Sequence, residues 1–281
     1  MSLITINDAL LEGQKHLRFN TSNYKNETLW IMQKSLNVDL VYILENKFKA
    51  IHNEKYKLFI QLIKRRSKEP LQHILNMVEF YGYNFNISKN VFIPRPETEV
   101  FIDILKKHVG YSKNVLEIGT GCGCISIALE LEQLSDNILS IDVNCEALEL
   151  AKVNAKKFKC SKINFLSQNL FNFTPHKKYN LIISNPPYIP VQDISSLDHI
   201  VKFYDPLEAL TDYDDGLSFY RYFSKLGIDF LCKNGYMLFE FGGTNQVEAL
   251  RNIFNNKCYH YVFLNDLNNE PRFILIKKTC Y

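Results

Sequence analysis

Two patterns of hydrophobic positions divide the chain. In residues 1–70, apolar side chains recur at helical spacing, as at Phe59, Ile60 and Ile63, while lysines and arginines occupy the other side. Glycine is almost absent from this part, and no strand-like alternation occurs in it. The pattern predicts a small helical bundle that ends at Pro70, because proline cannot continue a helix.

The second pattern is typical of strands and then of alternating strands and helices. Residues 71–90 carry short β-type stretches interrupted around Gly82 and Asn84, which predicts a β-hairpin. In residues 91–281, a helix is predicted over 97–105, and strands and helices alternate after it. The predicted strands are residues 114–118, 138–141, 163–166, 181–184, 236–241, 261–264 and 273–276. The predicted helices that follow are near residues 125–131, 146–158, 217–231 and 246–254.

This alternation predicts a parallel sheet covered by helices on both faces. The last two strands are separated only by a polar loop, so we expect them to pair antiparallel at one edge. The sequence therefore predicts an α/β fold with a seven-stranded Rossmann-like sheet. Its three predicted parts are an N-terminal helical domain over 1–70, a hairpin linker over 71–90 and the sheet domain over 91–281.

Composition narrows the class of protein. The chain has 281 residues, is 46% hydrophobic and carries a formal net charge of +3, which does not indicate a dedicated nucleic-acid binder. Its seven cysteines include no CxxC pair, so we expect reduced thiols and no structural metal site. No secretory signal and no apolar run of roughly 18–20 residues occurs. We expect a cytoplasmic monomer that does not enter a membrane.

A glycine-rich loop follows the first sheet strand directly before a helix. Glycines let the backbone turn tightly and approach a ligand closely. A dinucleotide fingerprint would need glycine at position 124, which is Cys124. An acidic residue precedes the loop instead, where it suits the amino, sulfonium and hydroxyl groups of S-adenosylmethionine. The predicted cofactor contacts in the loop are Glu117, Gly119, Thr120, Gly121, Cys122 and Gly123.

Two further positions support a nucleoside-type cofactor. Asp142 ends the second sheet strand about 20 residues past the loop, where an acid can accept both ribose hydroxyls. Asn169 and Leu170 follow the third strand, where an adenine would lie. We expect Asn169 to bond the exocyclic amine and Leu170 to cover the ring.

The candidate chemical motif is the segment Asn185-Pro186-Pro187-Tyr188, which directly follows an apolar strand. Proline lacks an N–H and keeps the preceding residue extended, so the segment should leave the strand as a stiff arm. The side-chain oxygen of Asn185 and the carbonyl of Pro186 can then accept the two hydrogens of a planar –NH2 group. Tyr188 can stack on the flat face of that group. We expect Asn185 also to contact the cofactor.

The whole pattern resembles the HemK/PrmC family of protein-(glutamine N5) methyltransferases, which modify peptide chain release factors. Besides the loop and the Asn-Pro-Pro-Tyr segment, the resemblance rests on three stretches. They are Pro70-Leu71-Gln72-His73-Ile74, Phe92-Ile93-Pro94-Arg95-Pro96-Glu97-Thr98-Glu99 and Asp205-Pro206-Leu207-Glu208-Ala209-Leu210. The resemblance implies S-adenosylmethionine as cofactor and an N-terminal helical domain that helps to grip the release factor. It also implies that the target is the glutamine of a Gly-Gly-Gln loop.

Three alternatives stay open at the level of sequence. An adenine N6-type or cytosine amino methyltransferase could use the same motif on a nucleic acid, but it would need a basic and aromatic recognition surface. The basic residues of the N-terminal region are instead interleaved with glutamates. A non-catalytic factor with the same fold would not need an intact Asn185–Tyr188 arm. An NAD-dependent oxidoreductase conflicts with Cys124.

Overall fold

The computed structural model describes residues 4–280, apart from the side chains at positions 226 and 228. The chain forms two compact units that divide between Met77 and Val78. Within the described residues, no helix is both long and apolar enough to cross a membrane.

The first unit is helical. Its helices are α1 (Ile6–Leu17), α2 (Tyr24–Leu36), α3 (Leu40–Glu45), α4 (Asn53–Arg66) and α5 (Leu71–Leu75). Helix α1 begins with a capping box, in which Thr5 and Asp8 satisfy each other's backbone N–H groups. The apolar faces meet in one core around the fully buried Ile31 and Phe59. The prediction that Pro70 ends the helical region is wrong, because Pro70 is the N-terminal cap of α5.

A hairpin of β1 (Met77–Phe80) and β2 (Tyr83–Asn86) follows the helices, and all of it except Met77 belongs to the second unit. Tyr81 and Gly82 form the turn, and both have positive φ angles, of 51° and 76°. Asn84 lies inside β2, so the strands are interrupted only at Tyr81 and Gly82. The hairpin groups with the sheet unit in the structure.

The helix predicted over 97–105 consists of three consecutive segments of different helix type. Residues Pro96–Glu99 make a 3-10 turn, with proline at the start where its missing N–H costs nothing. Helix α6 (Val100–Ile104) continues it, and Leu105–Val109 closes with a wider π-helical turn. Thr98 lies in the 3-10 turn, and its side chain is buried.

A seven-stranded sheet fills the second unit. Its strands are β3 (Val115–Ile118), β4 (Ile138–Asp142), β5 (Ile163–Ser167), β6 (Tyr179–Ser184), β7 (Leu231–Glu240), β8 (Tyr259–Asn265) and β9 (Pro271–Lys278). The spatial order is β5-β4-β3-β6-β7-β9-β8. The first five strands of that order run parallel, and β9 pairs antiparallel with both β7 and β8. The predicted seven-stranded Rossmann-like sheet, with its antiparallel edge, is confirmed.

Helices cover both faces of the sheet. Besides α6, the helices of this unit are α7 (Cys124–Leu131), α8 (Cys145–Lys157), α9 (His199–Tyr204), α10 (Leu207–Leu210), α11 (Ser218–Phe230) and α12 (Val247–Ile253). Of these, α6, α7, α8, α11 and α12 contribute side chains to the cores against the sheet. Neighbouring strand residues point to opposite faces, so Leu181 and Ile183 join the core under α6 and α7, whereas Ile182 joins the core under α11 and α12. The short helices α9 and α10 were not predicted. They lie in the long connection between β6 and α11.

Candidate active site

A pocket of about 480 Å³ opens at the carboxyl ends of β3, β4 and β6, where ligands bind in open α/β sheets. Most of the predicted site residues line it. They are Gly119, Thr120, Gly121, Cys122, Asp142, Asn169, Leu170, Asn185, Pro186, Pro187 and Tyr188. Glu117 and Gly123 are outside the lining, although the sequence predicted them as cofactor contacts.

The glycine-rich loop is held to the end of β4. Gly121 has a φ of +55° and donates its N–H to Asp142 Oδ2 at 2.9 Å, and Gly119 has a φ of +74°. A β-carbon on Gly121 would meet no atom within 4 Å, so the space in front of the loop is open. The loop therefore presents bare backbone to the pocket, as a closely approaching ligand requires.

Glu117 lies beneath the loop and is completely buried. Its Oε2 accepts hydrogen bonds from Thr120 at 2.6 Å and from Ser140 at 2.9 Å, whereas its Oε1 has no partner among the described residues. Burial raises the pKa of Glu117 to about 7, although these hydrogen bonds oppose the shift. Its place in the structure is that of a buried support for Thr120, with one acceptor oxygen unused.

Gly123 serves packing and not the pocket. It adopts a φ of +83° immediately before α7, and a β-carbon there would come within 3.0 Å of Ala151 Cβ on α8. The absence of a side chain therefore lets α7 start in a left-handed conformation and approach α8 closely.

Asp142 keeps the position that the sequence predicted. Its Oδ2 accepts from Gly121 N, and its Oδ1 accepts from Asn144 N at 2.9 Å. Each carboxylate oxygen keeps a lone pair for a further donor such as a ribose hydroxyl. Burial raises the pKa of Asp142 above its usual value.

The segment after β5 contributes a second wall. Asn169 Oδ1 accepts from Phe171 N at 2.9 Å, so this oxygen caps a 3-10 turn. Leu170 is buried in the core and lines the pocket. The half-exposed Phe171 packs edge-on against Tyr222 and also lines the pocket. Sequence reasoning missed Phe171, whose exposed aromatic ring is a further candidate for covering an adenine.

The Asn-Pro-Pro-Tyr arm leaves β6 into the pocket. Asn185 Nδ2 donates to Thr98 Oγ1 at 3.3 Å. The other end of the Asn185 amide, Oδ1, takes no part in that bond. Within residues 4–280, no group donates to Asn185 Oδ1 or to the Pro186 carbonyl. Farther along, the Tyr188 carbonyl accepts from Gln246 Nε2 at 2.9 Å. The arm is therefore anchored at both ends, with two acceptors unused between them.

Two buried residues that sequence reasoning did not single out support the arm. Glu240, at the end of β7, accepts from Thr98 Oγ1 at 2.8 Å and from the Tyr188 hydroxyl at 3.2 Å. Burial raises the pKa of Glu240 to about 7. A sequence signal existed for both, because Thr98 lies in a stretch that carries the family resemblance and Glu240 is the acid within an otherwise apolar strand end.

An ion pair ties together two of the other stretches that carry the resemblance. The guanidinium of Arg95 pairs with the buried carboxylate of Asp205, and it also lies 5.0 Å above the ring of Phe92. Ile93 N donates weakly to Asp205 as well, at 3.5 Å. The pair connects the segment before α6 with the long loop after β6 at the pocket wall.

The charge of the pocket matches a cationic cofactor. Among the described residues, its lining contains the carboxylates of Asp142, Glu208 and Asp212, and its one basic side chain, Arg95, is already paired with Asp205. A phosphate-bearing dinucleotide would meet net negative charge there, whereas a sulfonium and an ammonium group are favoured. The apolar walls suit an adenine, and the volume lies within the range of ordinary small-molecule sites. The residues present therefore fit S-adenosylmethionine.

Comparisons with known proteins identify the family of the chain. Residues 8–75 match the family described as PrmC N-terminal domain, and residues 93–201 match the methyltransferase small domain. A release factor glutamine methyltransferase of Fusobacterium nucleatum is 35% identical over 259 residues, which cover 90% of this chain and 73% of that protein. One from Bacillus subtilis is 33% identical and covers 92% of this chain and 88% of its own length.

A solved methyltransferase structure from Pyrococcus furiosus supports the fold. It is 14% identical, has a TM-score of 0.55, and covers 71% of this chain and 91% of its own chain. The sequence relatives cover both units of the protein at more than 30% identity. The chain therefore belongs to the family of release factor glutamine methyltransferases, and S-adenosylmethionine is the cofactor that its pocket fits.

Proposed function

We propose that this protein methylates the side-chain amide nitrogen of the glutamine in the Gly-Gly-Gln loop of peptide chain release factors. The observation that supports this most directly is the pair of unused acceptors, Asn185 Oδ1 and the Pro186 carbonyl, at the wall of the cofactor pocket. An amide –NH2 offers two coplanar donors to such a pair. The names of the relatives point to the same substrate.

The proposed role of the arm is to orient a poor nucleophile. An amide nitrogen shares its lone pair with its carbonyl, so it reacts slowly unless it is held in line with the methyl group. Two acceptors that fix both N–H groups hold the nitrogen in one orientation, and well-oriented groups can gain on the order of 7–11 kcal/mol. When bound, S-adenosylmethionine would supply an electrophilic methyl group. The N–C bond would form as the S–C bond breaks, with S-adenosylhomocysteine as the leaving group, and the methylated nitrogen would release one proton to solvent.

Tyr188 has a different proposed role. Burial raises the pKa of its hydroxyl well above the usual value, and that hydroxyl donates to Glu240. It therefore stays protonated near neutral pH and does not serve as a base. We propose that its ring, together with Pro187, forms the flat wall against which the target amide lies.

We also propose that residues 1–70 dock the release factor. The first unit carries exposed apolar side chains on and just after α3, including Val41 at 59% and Phe48 at 84% exposure. Exposed apolar side chains that cluster on one short helix are a common feature of protein-binding surfaces.

The charge of the long loop after β6 favours a protein over a nucleic acid. Residues 189–217 contain seven acidic residues and one lysine, in a chain whose net charge is +3. Two of these acidic residues, Glu208 and Asp212, line the pocket. A phosphate backbone would be repelled there, because nucleic-acid binding depends on basic contacts to phosphate.

The substrate is tested by incubating the full chain with methyl-labelled S-adenosylmethionine and, separately, a release factor, DNA or RNA. We expect label on the release factor alone, and tandem mass spectrometry should place it on the glutamine of the Gly-Gly-Gln loop. Label on a nucleic acid alone would instead identify the enzyme as an amino-directed nucleic-acid methyltransferase.

The role of the arm is tested by Asn185→Ala. Removing one oriented group in an active site typically costs on the order of 10²–10³-fold in kcat, and we expect a loss of that size. We expect the cofactor Kd from calorimetry to stay within about threefold, because the Asn185 side-chain oxygen points to the substrate in this proposal. Equal losses in kcat and in cofactor affinity would show that Asn185 is mainly a cofactor ligand.

A matched variant on the other side of the pocket is Asp142→Ala. We expect it to weaken cofactor binding by roughly 10–100-fold, since hydrogen bonds to a charged group are worth about 1.5–3 kcal/mol.

A further inference from the structure

We propose that Thr98 and Glu240 are positioning residues that determine which end of the Asn185 amide faces the substrate. This inference rests on the proposed function, in which Asn185 must present an acceptor to the target –NH2 group. Neither residue needs to touch the substrate or the cofactor for this role. Their effect passes through Asn185 and Tyr188.

Three hydrogen bonds connect these residues in one line. Asn185 Nδ2 donates to Thr98 Oγ1 at 3.3 Å, and Thr98 Oγ1 donates to Glu240 Oε2 at 2.8 Å. The other carboxylate oxygen of Glu240 accepts from the Tyr188 hydroxyl at 3.2 Å. Thr98 and Glu240 are buried, with 3% and 2% of their surfaces exposed. Water therefore does not readily replace any member of the line.

The carboxylate sets the direction of the line. An ionised carboxylate has no hydrogen to give, so the hydroxyl of Thr98 must donate to it. That hydroxyl has one hydrogen, so toward Asn185 its oxygen can only accept. Asn185 must then turn its –NH2 end to Thr98, which directs its Oδ1 away from Thr98. Both residues line the pocket.

This direction matters because the two ends of an amide have nearly the same shape. A flipped Asn185 would fill the same space but would present two donors to a target that is itself a donor. Donor would face donor, and the target nitrogen would lose one of its two acceptors. Shape and packing alone do not prevent this flip, whereas the line from Glu240 does.

The charge of Glu240 depends on pH. Burial, with a smaller effect of Glu97, raises its pKa to about 7, whereas the hydrogen bonds from Thr98 and Tyr188 and the charge of Arg272 on β9 favour the ionised form. Above pH 7 the carboxylate is therefore the main form, and it sets the direction of the line there. Tyr220 on α11 holds the same residue from the backbone side, by donating its hydroxyl to the Glu240 carbonyl at 2.7 Å. Three hydrogen bonds, from Thr98, Tyr188 and Tyr220, therefore hold Glu240 at the end of β7.

The test uses Thr98→Val, which keeps the shape of the side chain and removes the hydroxyl. With a release factor as substrate, we expect kcat to fall by roughly 10²-fold, as for the loss of one oriented group. We expect the cofactor Kd to change by less than about threefold, because this line of hydrogen bonds does not reach the cofactor loop. Thr98→Ser restores the hydroxyl and should recover most of the rate. A general packing defect at position 98 would not be rescued by the smaller serine.

A control is Ser135→Ala in the second unit. Ser135 is also completely buried, and its hydroxyl oxygen accepts from Asn137 N at 3.4 Å. It lies between α7 and β4, outside the arm and the pocket lining, so we expect its kcat to equal that of the wild type. If Thr98→Val proves unstable because Glu240 loses a donor, the double variant Thr98→Val with Glu240→Gln removes the buried charge. We expect the double variant to regain stability but not kcat.

The outcomes separate this inference from the proposed function. If the wild-type enzyme does not methylate a release factor, the proposed function fails. If the wild type does so and Thr98→Val, or a stable double variant, is equally fast, only the positioning role is refuted. A loss in Thr98→Val that serine does not rescue, or one that is matched by an equal loss of cofactor affinity, would also refute it.

Discussion

At the scale of single residues, two glutamates deep in the sheet unit stand out. Glu117 and Glu240 are both fully buried, and burial raises the pKa of each to about 7. Each carboxylate accepts a hydrogen bond from the hydroxyl of a threonine. Glu117 accepts from Thr120 in the cofactor loop, and Glu240 accepts from Thr98 beside the arm. Such groups lower the stability of the fold when they are charged, since a buried carboxylate has lost its water.

The free energy of unfolding should therefore change with pH as Glu117 titrates. The folded pKa of Glu117 is raised from 4.5 to about 7, so between those values the folded state holds a proton that the unfolded chain has lost. The free energy of unfolding then falls as pH rises through this window and is lowest above it. Glu117→Gln removes this contribution, and relative to the wild type it should gain up to roughly 3 kcal/mol between pH 4.5 and pH 8.

Urea denaturation of both proteins at the two pH values measures this difference. Glu240 titrates in both proteins, so its contribution cancels in the comparison. A stability difference that is the same at both pH values would contradict the assigned pKa of Glu117.

At the scale of elements, the arm after β6 is held by the turn that precedes α11. Gly216 has a φ of +77°, and a β-carbon on it would lie 2.2 Å from the Tyr188 carbonyl oxygen. Gln246, before α12, donates to that same carbonyl. The backbone of the turn therefore touches the backbone of the arm with no room for a side chain.

Gly216→Ala should consequently disturb both stability and catalysis. A left-handed conformation costs an alanine roughly 1–2 kcal/mol, and the backbone clash adds to that cost. We expect the loss of unfolding free energy in Gly216→Ala to exceed that in Gly82→Ala, and only Gly216→Ala to lower kcat. Gly82 is the matched control, because its φ is +76° but a β-carbon there would meet nothing within 4 Å. Equal losses of unfolding free energy in the two variants would show that the arm moves away from the added β-carbon at no cost in free energy.

At the scale of the whole molecule, charge is distributed unevenly. The chain as a whole carries a net charge of +3, yet residues 189–217 carry seven acids against one lysine. Some of these acids have structural roles, such as Asp205 with Arg95 and Asp215 with Arg221. Others, such as Asp193 and Asp214, are exposed. The exposed acidic side chains of this loop favour a basic partner surface and speed its approach.

The kcat/KM for a release factor should therefore fall as salt rises, because exposed charges are screened beyond about 10 Å at 0.1 M salt. The double variant Asp193→Asn with Asp214→Asn should lower kcat/KM at low salt and flatten its salt dependence. The control pair Asp229→Asn with Glu248→Gln changes the net charge equally through exposed residues outside this loop. A salt dependence that changes equally in both pairs would show that net charge matters and the position of the acids does not.

Much of the fold and part of the site could be predicted from sequence. The alternation of apolar runs with helical patterns predicted the sheet, because each strand must bury both faces under helices. Asp142 and the Asn185–Tyr188 arm were each predicted at the end of a sheet strand. The carboxyl ends of parallel strands meet at one edge, and the structure places both around one pocket there. The short helices α9 and α10 were missed, since four to six residues give too little periodicity to distinguish a helix from a loop.

The sequence by itself determined the local features of the protein. They are the succession of strands and helices along the chain, the tight glycine-rich loop and the stiff proline arm. These follow from backbone sterics and short-range periodicity, which act within a few residues. Only the tertiary structure decided that Glu117 and Gly123 lie behind the pocket and that Thr98 and Glu240 stand behind Asn185. Thr98 and Glu240 are 142 residues apart in the chain, and packing across the sheet, which no local pattern records, brings them into hydrogen-bond contact.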